Sequence, residues 1–161
     1  SENNLGSGTV FRVYFPAIDQ EIVLEDKPAE VIQSGTEHIL FVDDEEMLAD
    51  LGKATLEHLG YTVTMRTSSL EAFSVFQDSP DLFDAVITDQ TMPGMTGMDL
   101  ARQMLKIRPD LPIILCTGYS TLISEEQAKA EGVQGFAMKP LSKDTMATLL
   151  RTVLDRKKTL D

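Results

Sequence analysis

The chain has 161 residues, enough for one compact domain with a modest extension and too few for two full ones. Its apolar share of 42% is ordinary and no apolar run approaches the length that spans a bilayer, so the piece is expected to be soluble. Acidic residues outnumber basic ones by 26 to 14, which disfavours a general nucleic-acid surface because a phosphate backbone would be repelled.

Cys116 is the lone cysteine, so neither an internal disulfide nor a thiolate metal cluster can be built from this chain. That fits a reducing, cytoplasmic setting. Cys116 ends the apolar run Ile113-Ile114-Leu115-Cys116 and reads as a buried, inert thiol. No signal peptide is read at the start, and the first residue reads as a cut within a longer chain, which leaves a membrane-anchored parent open.

In chain order, Gly6-Ser7-Gly8 leads into the alternating run 9–15, a short strand closed by Pro16. Glycines that precede a strand are in the wrong order for the phosphate turn of a dinucleotide fold. Residues 17–37 mix Asp, Glu, Lys and Pro with scattered aliphatics and read as a linker.

A different rhythm begins at Ile39. The apolar run 39–42 meets Asp43-Asp44-Glu45-Glu46, then a helix in which Leu48, Leu51, Thr55 and Leu59 recur at helical spacing before Gly60 closes it. A second strand over 61–65 precedes a helix over 68–77, with Ala72, Phe73 and Phe76 inward, and a turn over 80–84. The third strand, 85–88, ends at Asp89. The loop 90–97 feeds a helix through Ile107, the fourth strand covers 113–116, and Thr117-Gly118 opens a helix ending near Gly132. A short fifth strand over 135–138 ends at Lys139-Pro140, and the last helix turns Met146, Leu149, Leu150, Val153 and Leu154 inward. Five strand–helix units with short, mostly apolar strands predict a doubly wound α/β sandwich: a five-stranded parallel sheet with helices on both faces.

Chemistry in such a sheet belongs at the C-terminal ends of the strands. Those ends carry Asp43 and Asp44, Asp89, Thr117 and Lys139. Each has a plain reading in isolation: first-turn helix acids, an Asx turn, a cap, a solvated lysine. Together they read differently. Carboxylates this close repel one another and call for a hard cation such as Mg2+. With the cation in place, one carboxylate oxygen can attack phosphorus in line while Mg2+ and Lys139 offset the charge on the transferring oxygens. Asp89 is the best nucleophile, Asp44 the best direct ligand, Asp43 the holder of a metal-bound water, and Thr117 a hydroxyl donor. The product, an aspartyl phosphate, is a labile mixed anhydride, which suits a signal.

With the segment Asp89-Gln90-Thr91-Met92-Pro93-Gly94-Met95-Thr96-Gly97 and the Lys139-Pro140 pair, this set resembles the receiver domain of bacterial two-component response regulators. The resemblance covers about three quarters of the chain, with the domain bounded at 38–158. It implies the flavodoxin-like strand order 2-1-3-4-5, phosphorylation of Asp89, and Mg2+ bound by Asp44, Asp89 and the Thr91 backbone carbonyl, with Asp43 acting through water. It further implies a Lys139 contact to the phosphoryl group, a cis bond before Pro140, and a paired shift of Thr117 and Phe136 on activation. Gly118 departs from the Ala often found after the switch Thr and leaves room beside the phosphoryl group.

Residues 1–16 resemble the last glycine turn and final strand of a sensor histidine kinase ATP-binding domain. That placement implies a hybrid histidine kinase with a C-terminal receiver. The expected donor is a histidine kinase core, in the same polypeptide, or a histidine phosphotransfer domain; neither nucleic acid nor membrane contact is expected, and a weak homodimer is allowed. The absence of an output domain after Asp161 points to phosphotransfer or regulation in place of direct transcriptional control. By this reading the fragment catalyses only its own phosphorylation and dephosphorylation. The alternatives are a pseudo-receiver that serves as a protein-interaction module and a Mg2+-dependent phosphohydrolase, for which no cap element is evident.

Overall fold

The computed structural model of the protein describes residues 34–119 and 123–160. The segment expected to be a kinase remnant, 1–16, and the linker up to residue 33 lie outside the described residues.

Five parallel strands alternate with five helices: β1 (His38–Val42), α1 (Glu46–His58), β2 (Thr62–Arg66), α2 (Ser69–Asp78), β3 (Ala85–Asp89), α3 (Gly97–Ile107), β4 (Ile113–Thr117), α4 (Glu125–Ala130), β5 (Gly135–Met138) and α5 (Lys143–Leu160). The sheet order is β2-β1-β3-β4-β5, as expected. Alternate strand residues point to opposite faces, so each apolar strand feeds two cores. Leu40, Val42, Val86, Ile113 and Leu115 pack with Ala72 and Phe76 of α2, Met98 to Met104 of α3, and Ala128 of α4. Ile39, Phe41, Ile87, Ile114 and Cys116 pack on the other face with Leu56 of α1 and Met146, Leu150 and Val153 of α5. A slip of one residue would exchange the two sets, which fixes the register.

The helix ends show why the segments stop where they do. Thr96 caps α3, its hydroxyl oxygen accepting from the Asp99 amide, and Ser124 with Gln127 forms a reciprocal capping box on α4. Helix α4 begins later than the sequence suggests, at Glu125, and ends where expected: Ala130 is its last residue and Gly132 follows in a left-handed conformation at φ 95°. The inward face of α1 also differs from the periodic reading. Ala49, Gly52 and Leu56 are buried, whereas Leu51 is 63% exposed. A Cβ at Gly52 would lie 2.3 Å from the Phe41 ring, so the helix meets the sheet through its smallest residue.

One polar cluster ties the chain ahead of β1 to the domain. Arg151 of α5 donates through Nε to the Tyr61 hydroxyl (2.9 Å), pairs with Glu37 (2.8 Å) and lies 5.4 Å from the centre of the Tyr61 ring. The Glu37 carbonyl in turn accepts from the Thr62 amide, joining this segment to β2. Burial would lower the guanidinium pKa, but Glu37 and Tyr61 outweigh it and hold the group above its ordinary value. Arg151→Ala should therefore cost about 1–2 kcal/mol, the scale of a lost charged hydrogen bond plus its packing. Urea unfolding measures that cost, and faster amide exchange at Gly35 and Thr62 locates it.

Candidate functional site

The sheet order reverses between β1 and β3: the chain leaves β1 for β2 on one side and returns to β3 on the other. A crevice therefore opens at the C-terminal ends of β1 and β3. Val42 is paired with Thr88, so the next residues, Asp43 and Asp89, end adjacent strands side by side. Thr117 pairs with Met138, and the Lys139 amide donates to the Thr117 carbonyl at 2.8 Å, which brings the lysine to the same rim.

Asp43 is 3% exposed and Asp89 6%. Between them sits the Lys139 ammonium, 2.7 Å from Asp43 Oδ2 and 2.9 Å from Asp89 Oδ1. Burial would lower the lysine pKa, but the hydrogen bonds and charges of Asp43 and Asp89 more than reverse this and raise it. One cation thus serves two buried carboxylates, leaving the cluster one negative charge in excess. The second oxygen of each carboxylate is held by backbone: Asp43 Oδ1 accepts from the Glu45 amide (3.1 Å) and Asp89 Oδ2 from the Thr91 amide (2.9 Å). Both side chains are therefore fixed in orientation before any ligand arrives.

The other predicted residues are placed as follows. Asp44 is half-buried and has no hydrogen bond or ion pair among the described residues. Thr91 is exposed in the β3–α3 loop. Thr117 is buried at the end of β4, and Phe136, opposite Leu115 on β5, is half-buried against the α2–α4 core. The Lys139–Pro140 bond is cis. A Cβ at Gly118 would meet nothing within 4 Å. Cys116 lies behind it, its thiol pushed up to about 12 by burial, with Lys139 opposing, and so inert.

For a metal, the donor chemistry fits a hard cation: carboxylate oxygens and a backbone carbonyl, with no sulfur or imidazole among them. Among the described residues no group of three or more His, Cys, Asp or Glu is gathered as a ready cage. Asp44, next to Asp43 in the chain and without a polar partner among the described residues, is a carboxylate that could hold such an ion.

Two residues escaped the sequence reading. Gln90 accepts at its side-chain carbonyl from the Met98 amide (3.0 Å), and a Cβ at Gly97 would lie 2.1 Å from the Asp89 carbonyl oxygen. Neither role has a local sequence signal, because each depends on how the loop folds back. Next to the site, a cavity of about 430 Å³ is lined by Phe41, Leu48, Leu51, Leu141 and Met146, with Asp43 and Lys139 at its edge.

A model of the response regulator receiver domain family matches residues 39–151. The chain belongs to that family. Two solved receiver domains share the fold: one from Clostridium thermocellum, with TM-score 0.74 and 33% identity over 78% of this chain and 99% of that one, and a CheY-like one from Methanospirillum hungatei JF-1, with TM-score 0.72 and 26% identity over 79% of this chain and all of that one. Among curated relatives, the sensor kinase CckA of Brucella abortus is 29% identical over 96% of this chain, and the C4-dicarboxylate transport transcriptional regulatory protein DctD of Rhizobium meliloti is 34% identical over 78%. The chain spans 17% of the length of the first and 27% of the second. The relatives matched thus include a kinase and a transcriptional regulator. Among the described residues of this chain, no helix is long and apolar enough to cross a membrane.

Proposed function

We propose that this receiver domain takes a phosphoryl group from a phosphohistidine onto Asp89 and passes the changed state to a partner. The observation that carries the reading is the buried Asp43–Lys139–Asp89 contact at the ends of three strands. An Asp89 oxygen forms the new O–P bond as the N–P bond to the donor imidazole breaks, and the electron pair leaves with the imidazole. Asp89 is held for this attack by the Thr91 amide. Lys139, now pairing Asp89 Oδ1, contacts the incoming phosphoryl oxygens, and Thr117 donates its hydroxyl to them. Asp44, Asp89 and the Thr91 carbonyl would hold Mg2+, with Asp43 through water; the ion supplies neutralisation of the phosphoryl charge. Thr117 and Phe136, on neighbouring strands, form the switch that reports the change.

We place this domain, at 38–158, at the C-terminal side of a histidine kinase core, with residues 1–16 the end of the ATP-binding domain and 17–37 the linker. Similarity to a sensor kinase that extends over 96% of the chain, well beyond the receiver match, supports this arrangement. The donor is then the attached kinase core or a histidine phosphotransfer domain, and the domain works in the cytoplasm.

Incubation with acetyl phosphate and Mg2+, followed by intact mass, tests the chemistry. The wild type should gain one labile phosphoryl group, lost when Mg2+ is chelated beforehand, and Asp89→Asn should gain none. A wild type without an adduct, both from acetyl phosphate and from its phosphorylated kinase core, would leave the domain a protein-interaction module.

A further inference from the structure

Gln90 lies between the proposed nucleophile, Asp89, and Thr91, whose carbonyl is the proposed metal ligand. All three of its backbone and side-chain contacts hold the loop in place. Its amide donates to the Cys116 carbonyl of β4 (2.8 Å), its carbonyl accepts from the Gly97 amide (3.1 Å), and its side-chain oxygen accepts from the Met98 amide (3.0 Å). The Met98 amide is one of the α3 first-turn donors without a partner inside the helix, so the side chain must present oxygen and not nitrogen to it. The peptide on the far side of Gln90 carries the Thr91 N–H that holds Asp89 Oδ2 at 2.9 Å. The next carbonyl is that of Thr91. Thr91 itself is exposed, so the orientation of both groups depends on how firmly the residue before them is fixed.

We infer that Gln90 is a positioning residue: by anchoring its side chain to the first turn of α3, it aims the Thr91 N–H and carbonyl and so sets the affinity of the site for Mg2+. The inference rests on the phosphoacceptor reading above. It adds a residue that touches neither the phosphoryl group nor the ion and acts only through Thr91. Groups that stand behind metal ligands commonly govern affinity in this way.

Gln90→Leu keeps the bulk and removes the acceptor; Gln90→Glu keeps an acceptor oxygen in place. In metal-free protein, Gln90→Leu should speed amide exchange at Thr91 and Met98 about fivefold beyond any change at other amides, as loss of one hydrogen bond gives. Calorimetric titration with MgCl2 should then show affinity weakened about tenfold. Labelling by acetyl phosphate should need correspondingly more Mg2+. Gln90→Glu should keep Thr91 protection and bind Mg2+ at least as tightly as the wild type. Should the leucine variant misfold, Gln90→Asn, one methylene too short to reach Met98, serves in its place with the same expectations. Faster exchange at Met98 alone, with Thr91 protection and Mg2+ affinity unchanged, would make Gln90 a helix cap only and overturn the inference. A wild type that neither binds Mg2+ nor labels would overturn it too, and that failure is seen without any variant, so it is attributable to the phosphoacceptor reading.

Discussion

Lys139→Met should destabilise the metal-free domain by about 3 kcal/mol, the lower part of the range for removing one partner of a buried ion pair. The lower part applies because the lysine side chain is 22% exposed, while the carboxylates it serves are 4% and 7% exposed. Methionine fills the stem's volume, so the loss is electrostatic: two buried carboxylates face each other with no cation between them. Added Mg2+ should recover part of the deficit in urea unfolding, since a divalent ion at the same rim offsets the same charge. The pH dependence gives a second check. The lysine pKa is raised in the folded state above its ordinary 10.5, because Asp43 and Asp89 outweigh the opposing effect of burial. A group of this kind stabilises fully below its unfolded pKa and loses that contribution as the pH rises through the folded value. The gap between wild type and Lys139→Met should therefore be constant from neutrality to the approach of pH 10.5 and narrow above it. Tyr61, whose phenol is also raised by burial, loses stabilisation over the same range, but equally in both proteins, so it cancels from the difference. A gap that did not narrow would mean that Lys139 stabilises by packing and not by charge.

The contrast between Lys139 and α1 shows which features of this fold a sequence carries. Strands buried on both faces must be continuous apolar runs, so their ends are marked by the first polar residue, and Asp43 and Asp89 stand out for that reason. Their charge sign and their shared rim follow directly. What does not follow is that one lysine from a third strand end reaches both. That depends on the distances across β1, β3 and the turn after β5, which no spacing in the sequence encodes. On α1 the large aliphatics at helical spacing suggested a core face that included Leu51. The helix instead turns Ala49, Gly52 and Leu56 inward, because the Phe41 ring already fills the space beneath Gly52. Periodicity weighs large apolar residues and overlooks small ones, and here the helix approaches the sheet at a glycine whose added Cβ would meet the Phe41 ring. Gln90 is hidden for a related reason. Its side-chain partner is the backbone amide of a residue eight positions on, and a backbone amide leaves no mark in a sequence.

Gly97→Ala should be the most damaging of single-methyl additions near the site. The added Cβ would sit 2.1 Å from the Asp89 carbonyl oxygen, 2.8 Å from its carbonyl carbon and 2.9 Å from Leu115 Cδ1. Two of those three atoms are backbone at the end of a central strand, which β1 and β4 hold on either side, so they cannot step aside as a side-chain tip would. Either α3 withdraws from the sheet or the end of β3 moves, and overpacking of this kind costs about 3 kcal/mol. Gly118→Ala is the matched control. Its Cβ would meet nothing within 4 Å, so the change should stay within about 0.5 kcal/mol of the wild type. The two variants also separate stability from chemistry. Under conditions where Gly97→Ala remains folded, a displaced Asp89 should leave phosphoryl uptake from acetyl phosphate strongly reduced. Gly118→Ala should be labelled fully, with any change confined to how long the phosphoryl group persists. Normal labelling of folded Gly97→Ala would show that α3, and not the strand end carrying Asp89, yields to the added methyl.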